Sequence, residues 1–265
     1  MNKTLYRYGI KSAWMLFVIL LLVITMYYTI ITAMFDPKMG NVLTELSKSM
    51  PEIMAMMGMN GANSTLEGFL ASYLYGFIML LIPMLFSAVT ANSLVARKVD
   101  SGSMANLLSA PVSCLRIVLT QMAVLLSGIT LMVACTTGIG LLTSELCFPG
   151  TLHTGRFLMM NAGTLALQWF IGGICFLSSC IFNDGKRSLA IGVGIPLFSY
   201  VLQMIGNFSS ELEGFCYASF FTLFDQQGLS AGEQAALPGM FILLAGAVLF
   251  YTAAAVIFTK KDIPV

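Results

Sequence analysis

Six uninterrupted apolar runs, each about as long as a bilayer crossing needs, leave this chain few ways to fold. The hydrocarbon core takes about 20 helical residues to span, and the runs cover residues 13–35, 69–96, 117–143, 157–182, 188–206 and 238–259. In lipid every backbone N–H and C=O must find its partner within the protein, which makes apolar segments of this length helices. Only 9% of the 265 residues are charged and 58% are hydrophobic, against roughly 25% charged in soluble domains. The sequence predicts an all-α integral membrane protein with six transmembrane helices, forming one transmembrane domain over 1–265. The first run is too long for a cleavable signal, and no small-residue cleavage site follows it.

Lys and Arg set the orientation, because basic loops stay cytoplasmic. Lys3, Arg7 and Lys11 precede the first run, and Arg97, Lys98 and Arg116 follow the second. Lys186 and Arg187 follow the fourth, and Lys260 and Lys261 follow the sixth. Lys38, Lys48 and Arg156 fall on the other side, with nine acids: Asp36, Glu45, Glu52, Glu67, Glu145, Glu211, Glu213, Asp225 and Glu233. Both termini are expected in the cytoplasm, with external loops at 36–66, 144–156 and 207–237. A net charge of +1 without a basic tract longer than two residues gives no footing for nucleic acid.

Several segments outside the runs carry local signals. Residues 2–12 mix Leu5, Tyr6, Tyr8 and Ile10 with Lys3, Arg7 and Lys11, an amphipathic segment suited to the headgroup layer before the chain turns inward. Ser49-Met50-Pro51-Glu52 and Ser64-Thr65-Leu66-Glu67 have capping-box spacing. Met50, Met54, Met56, Met57 and Met59 form a cluster that suits adaptable apolar packing or, less commonly, soft copper. Pro83 removes a hydrogen bond inside the second run and is expected to kink it. Gly172, Gly173, Ser178, Ser179, Gly192 and Gly194 allow close helix packing. Phe215 to Phe224 is apolar but too short to cross, so a re-entrant or interfacial stretch is expected before the sixth span.

Catalytic and metal chemistry find no constellation here. His153 is the one histidine, and the six cysteines show no Cys-x-x-Cys spacing. Only Cys147 and Cys216 fall in external loops, so one disulfide is conceivable between them. Gly185-Lys186-Arg187-Ser188 lacks the upstream glycine of a phosphate loop and the Ser or Thr directly after the lysine. The expectation is a protein that is no enzyme, with no catalytic, cofactor-binding or metal residues. The middles of the runs are uncharged, with Gln121, Asn161, Gln168 and Gln203 among their polar members. Proton- and ion-coupled carriers place ionisable groups there, so a transporter built this way draws its energy from elsewhere.

The polar interval 97–116 stands out. Asp100, Ser101 and Ser103 are residues that accept bonds from the first N–H groups of a helix, and Pro111 forces the preceding residue out of helical geometry. About two turns ending near Ser109 would put Met104, Leu107 and Leu108 on one face. Such a surface helix serves either as a docking handle for a soluble partner or as an interfacial linker.

Asp100-Ser101-Gly102-Ser103, followed by Leu107-Leu108-Ser109-Ala110-Pro111-Val112-Ser113, resembles the Glu-x-Gly-Thr, Leu-Leu, small-x-Pro-Val-Ser pattern of ABC type-2 permeases, the membrane subunits of ATP-binding-cassette exporters. The ending Phe258-Thr259-Lys260-Lys261-Asp262-Ile263 is similar to that family's Phe-x-basic-basic-Asp-aliphatic tail. Asp100 stands where the family has Glu, Ser103 where it has Thr, and Cys114 where it usually has Arg. The resemblance implies a cytoplasmic coupling helix seated in a separate cytosolic ABC ATPase, with Asp100, Gly102, Ser103, Met104, Leu107, Leu108 and Pro111 at that interface. It also implies a dimer with a second permease copy or homologue, in contact with membrane lipid of the bacterial cytoplasmic membrane. ATP would be bound by the partner subunit. The cargo expected is amphipathic or hydrophobic (a peptide antibiotic, drug or lipid). The rivals are a non-transporting scaffold or sensor subunit and a self-contained carrier or channel.

Overall fold

The computed structural model describes residues 3–35, 49, 65–104, 113–208 and 210–261. Among them the chain is helical with no strand. Six helices are long and apolar enough to cross a membrane: Lys3–Met34, Ile78–Asp100, Cys114–Cys147, Thr154–Ile181, Gly185–Phe208 and Gln234–Lys260. The protein is a multi-pass membrane protein. Most of these helices outrun their apolar cores, because a helix persists until a cap or a turn residue stops it. The methionine cluster, the Ser49–Glu52 capping pair, Leu107, Leu108, Pro111 and the tail residues Asp262 and Ile263 lie outside the described residues.

The first helix, α1 (Lys3–Met34), runs without interruption. No turn separates its first residues from the span, in contrast to the headgroup-lying segment expected for 2–12. Leu5 is buried, and the Tyr6 hydroxyl donates to Ser127 Oγ at 3.0 Å. A Cβ on Gly9 would sit 2.9 Å from Val124 Cγ2, so this glycine lets α1 approach its neighbour closely and does not serve as a hinge.

The second span is the irregular one. It begins with α2 (Leu66–Leu70) and a π-helical turn, Ala71–Tyr75. It breaks at Phe77 (φ −136°, ψ −63°), then continues as α3 (Ile78–Leu94) and, past Val95, as α4 (Ala96–Asp100). At the break Leu80 N–H turns to Phe77 O, which frees the Gly76 carbonyl; the Tyr200 hydroxyl donates to it at 3.2 Å. Pro83 has no N–H for the carbonyl four residues back, that of Met79. Gln168 Nε2 donates to Met79 O and Leu80 O, both at 3.0 Å. Two side chains from other spans thus complete a backbone that cannot complete itself.

The capping-box spacing puts Ser64 at the start of this span with Glu67 closing the box. In the structure Thr65 is the cap, its hydroxyl accepting from Gly68 N–H at 3.3 Å. Glu67 is buried and accepts from the His153 backbone N–H instead. A non-local partner has replaced the local one, tying the start of the second span to the start of the fourth.

Three long helices follow: α5 (Cys114–Cys147), α6 (Thr154–Ile181) and α7 (Gly185–Phe208). The last span is α9 (Leu237–Lys260), preceded by the short α8 (Gln226–Ala231). α6 is the central helix, packed by α3, α5, α7 and α9. Its most apolar window is 72% buried, against 22% for α1 and 28% for each of the last two spans, so those three present most of the lipid-facing surface.

The apolar stretch before α9 forms two 3-10 segments, Ser210–Ala218 and Phe220–Leu223. It does not stop at the helix ends. Phe220 N–H donates to Ser199 Oγ, well inside α7, at 3.2 Å. The Phe220 ring lies 5.0 Å from that of Phe170, deep in α6, and Phe221 lies 5.4 Å from Tyr200. The first turn of α9 crosses this stretch so closely that a Cβ on Gly239 would collide with the Leu223 carbonyl.

If the Gln168 amide completes the proline-broken backbone, Gln168→Leu should lower stability by about 1–2 kcal/mol through an orphaned buried carbonyl. Combining it with Pro83→Ala should restore more than half of that loss, since an alanine at that position supplies the missing N–H. Thermal midpoints of the detergent-solubilised single and double variants check this. Additive losses would rule out the pairing.

Candidate functional site

The residues singled out after the second span reach the N-terminus of another span, α7. Asp100 closes α4 and does not open a new helix. Ser101 N–H bonds Arg97 O and Gly102 N–H bonds Val99 O. Gly102 then takes φ +69°, a left-handed conformation that costs any residue with a Cβ. The hydroxyls of Ser101 and Ser103 converge on the Lys98 carbonyl at 3.3 and 3.2 Å and bond each other at 2.9 Å. Helical geometry resumes at Ser103 and Met104. Because the turn at Gly102 resets the register, Met104 points into the bundle, 1% exposed, and not onto the outward face expected for it.

Asp100 reaches across to the turn joining α6 and α7. Its Oδ2 accepts from Gly185 N–H at 3.4 Å, and Asp184 Oδ1 accepts from Lys186 N–H at 2.8 Å. Two carboxylates therefore sit at the N-terminus of α7, where free N–H groups and the helix dipole favour negative charge. On the other side of the same turn, Lys261 Nζ donates to Cys180 O at 3.0 Å and Ile181 O at 2.7 Å. These are last-turn carbonyls of α6, where a cation is favoured. Partial burial lowers the Lys261 ammonium from its ordinary value of 10.5, with the Cys180 thiol opposing the shift. The turn is thus held by an anion from the loop after the second span and a cation from the end of the sixth.

Behind the turn, α6 and α7 are laced by small polar side chains. Ser178 Oγ donates to Ser188 O at 2.9 Å, Ser188 Oγ to Ser179 Oγ at 3.0 Å, and the Cys175 thiol to Gly192 O at 3.2 Å. Lys98 Nζ lies 5.3 Å over the Tyr8 ring and is buried with no hydrogen-bond acceptor among the described residues. The residues Tyr8, Lys98, Asp100, Gly185 and Lys261 therefore share one end of the bundle.

At the opposite end a polar cleft of about 510 Å³ is lined by Thr65, Arg156, Asp225, Gln227 and Glu233. Asp225 is engaged in capping α8, accepting from Gly228 N–H at 2.9 Å. Among the described residues no group of three His, Cys, Asp or Glu side chains is placed to hold a metal ion. Cys147 and Cys216 are not joined to each other by a disulfide, and the Cys216 thiol donates to Asn207 Oδ1 at 3.6 Å.

No model of a known protein family matches this chain, and no curated protein matches it.

Of the residues singled out in the sequence, Asp100, Gly102 and Ser103 come together in one turn, and Met104 anchors it from inside. Gly185 and Lys261 join this site without a sequence signal that assigns them to it. A basic residue just past the last span is visible in the sequence, but which helix end it caps is not.

Asp100→Asn and Lys261→Gln should each loosen the α6–α7 turn by about 0.5–1 kcal/mol, the scale of a charge at a helix end. Tryptic cleavage at the exposed Lys186–Arg187 pair should then speed up roughly two- to fivefold, while Ser103→Ala leaves it nearly unchanged. Unchanged rates in both charge variants would show that neither contact holds the turn.

Proposed function

We propose that this chain is the permease subunit of an ABC exporter, driven by a separate cytosolic ATPase that docks on segment 97–116. The single observation that carries this reading is the contact Asp100 makes at the start of that segment. The stretch bearing the Leu107-Leu108 and Pro111 motif leaves a turn whose Asp100 holds the N-terminus of α7. A push on the segment has a direct route into the bundle.

The route has parts with separate jobs. Gly102 is the pivot, since its left-handed backbone sets the direction in which the segment leaves α4. Met104, buried, keeps the segment seated. Asp100 passes displacement to α7, and Lys261 links the ends of α9 and α6. Closing of two ATPases on nucleotide would drive these segments in a pair of permeases, and α6, α7 and α9 would move as a block. Leu107, Leu108 and Pro111 form the docking face. The basic end is then cytoplasmic, as the positive-inside rule requires, in a bacterial plasma membrane.

The transmembrane interior supports an energy source outside the chain, because its mid-span polar groups are uncharged amides and hydroxyls such as Gln121, Gln168 and Thr164. The 3-10 stretch reads as a re-entrant element entering from the external side, with Phe220 and Phe221 among the helices. A cargo moving past such walls is amphipathic or hydrophobic. The chain binds no nucleotide itself; hydrolysis belongs to the partner.

Purification of the tagged chain from its native membrane in mild detergent tests the reading. A cytosolic ATPase should accompany the wild type and be lost with Leu107→Asp/Leu108→Asp, while yield and thermal midpoint of the permease stay the same. Equal recovery with both places the docking face elsewhere. Absence of an ATPase from both, under conditions that keep the permease folded, contradicts the exporter reading and favours a scaffold.

A further inference from the structure

The polar cleft at the end opposite the basic turn is built from parts far apart in the sequence, each held by its own contact. Arg156 comes from the first turn of α6, Thr65 and Gly68 from the start of α2, and Asp225 and Glu233 from either side of α8. The Glu67–His153 bond ties the start of α2 to the approach to α6. Leu229 is 1% exposed and lies so close to α6 that a Cβ on Gly163 would sit 2.6 Å from its Cδ1, which seats α8 on that helix. The Glu233 N–H donates to Gly228 O at 2.8 Å and fixes the backbone just past α8.

Both signs of charge in the cleft are seated on glycines. A Cβ on Gly228 would collide with Asp225 Oδ2, and a Cβ on Gly232 would lie 3.3 Å from Arg156 Nε. Gly232 also takes the left-handed φ of +81° that ends α8, so the short helix closes with room for a guanidinium. Arg156 and the carboxylates nevertheless do not pair: among the described residues the one ion pair is Arg187 with Asp184. The hydroxyls beside them are engaged, Thr65 Oγ1 accepting from Gly68 N–H at 3.3 Å and Ser230 Oγ donating to Gln227 O at 2.8 Å. A guanidinium and two carboxylates thus line one space, further apart than an ion pair allows. Among the described residues no Val, Leu, Ile, Met or aromatic side chain lines it. Its 510 Å³ is roughly 8 Å on a side, and two extended residues of a peptide span about 7 Å. The cleft has the size and charge for a compact, polar molecule with opposite charges at its two ends.

We propose that this cleft binds a small zwitterion, an amino acid or dipeptide, with its carboxylate on Arg156 and its ammonium between Asp225 and Glu233. A guanidinium matches a carboxylate with two parallel N–H donors, and an ammonium offers three donors to the acceptors around it. The bound molecule joins the start of α6 to the approach to the last span, since Glu233 leads directly into the 3-10 turn Gln234–Ala236 and then α9. Without an apolar wall the cleft does not suit an amphipathic cargo, and this assignment does not rest on the exporter reading.

Equilibrium binding of diglycine to the full chain in a maltoside detergent tests the site, with succinate and putrescine as probes that carry one sign of charge twice. The wild type should bind diglycine about tenfold tighter than either of them, the scale of one hydrogen-bonded charge. Arg156→Gln should weaken diglycine about tenfold and leave putrescine bound as well as before or better. Glu233→Gln should weaken diglycine and improve succinate; Glu233 is chosen over Asp225 because the Asp225 carboxylate also caps α8. Opposite changes of preference in the two variants separate loss of a charge from loss of the fold. The proposal is overturned if the wild type shows no saturable diglycine binding, if both variants bind diglycine as the wild type does, or if succinate or putrescine binds the wild type as tightly. Tighter binding of glycerophosphoethanolamine than of diglycine also overturns it and would assign the cleft to a phospholipid headgroup.

Discussion

The requirement that backbone groups in lipid be paired within the protein governs the structure most visibly where the chain breaks it. The second span contains a π-helical turn, a break at Phe77 and a proline at position 83. Each leaves carbonyls without the donor that a regular helix provides. Those freed near the break and the proline are taken by Tyr200 of α7 and Gln168 of α6, so the broken span is fixed to the same two helices that meet at the basic-end turn. Near the same level Tyr75 donates to Asn161 Oδ1 at 2.8 Å, while Asn161 Nδ2 bonds Phe157 O. Gln168 and Tyr200 are thus accounted for as partners of an irregular backbone.

The same rule operates at helix ends. The turn between α6 and α7 exposes carbonyls on one side and N–H groups on the other, and ions of the right sign reach both from distant parts of the sequence. This makes the turn a junction of four elements: the segment after the second span, α6, α7 and the end of α9. Opposite charges at opposite helix ends resist separation of these elements.

Much of this is legible in the sequence, and the remainder is lost for identifiable reasons. The apolar runs locate six spans because length and hydropathy are local properties. The polar loop with Asp100, Gly102 and Ser103 is visible as a departure from them. Met104 departs from its expected face because a continuous helix from Asp100 would point it outward, and the positive φ at Gly102 resets the helical phase. Glu67 has the spacing of a capping box, yet the His153 N–H, far along the chain, competes for the same carboxylate. Pro83 announces a missing donor and Gln168 is conspicuous as a polar residue in a span, but nothing local joins the two. Residues 2–12 read as a surface segment because their composition is amphipathic; Gly9 and Tyr6 instead fit them against α5.

The central claim is that segment 97–116 receives a partner and that Asp100 carries the effect to the α6–α7 turn. Hydrogen–deuterium exchange of the chain with and without the proposed ATPase partner tests this most directly. The account predicts slower exchange over residues 101–112 on complex formation, together with a change at 181–188. In Asp100→Asn the first should persist and the second should shrink. A change at 181–188 that survives in Asp100→Asn, or protection confined to the opposite end of the bundle, would contradict it.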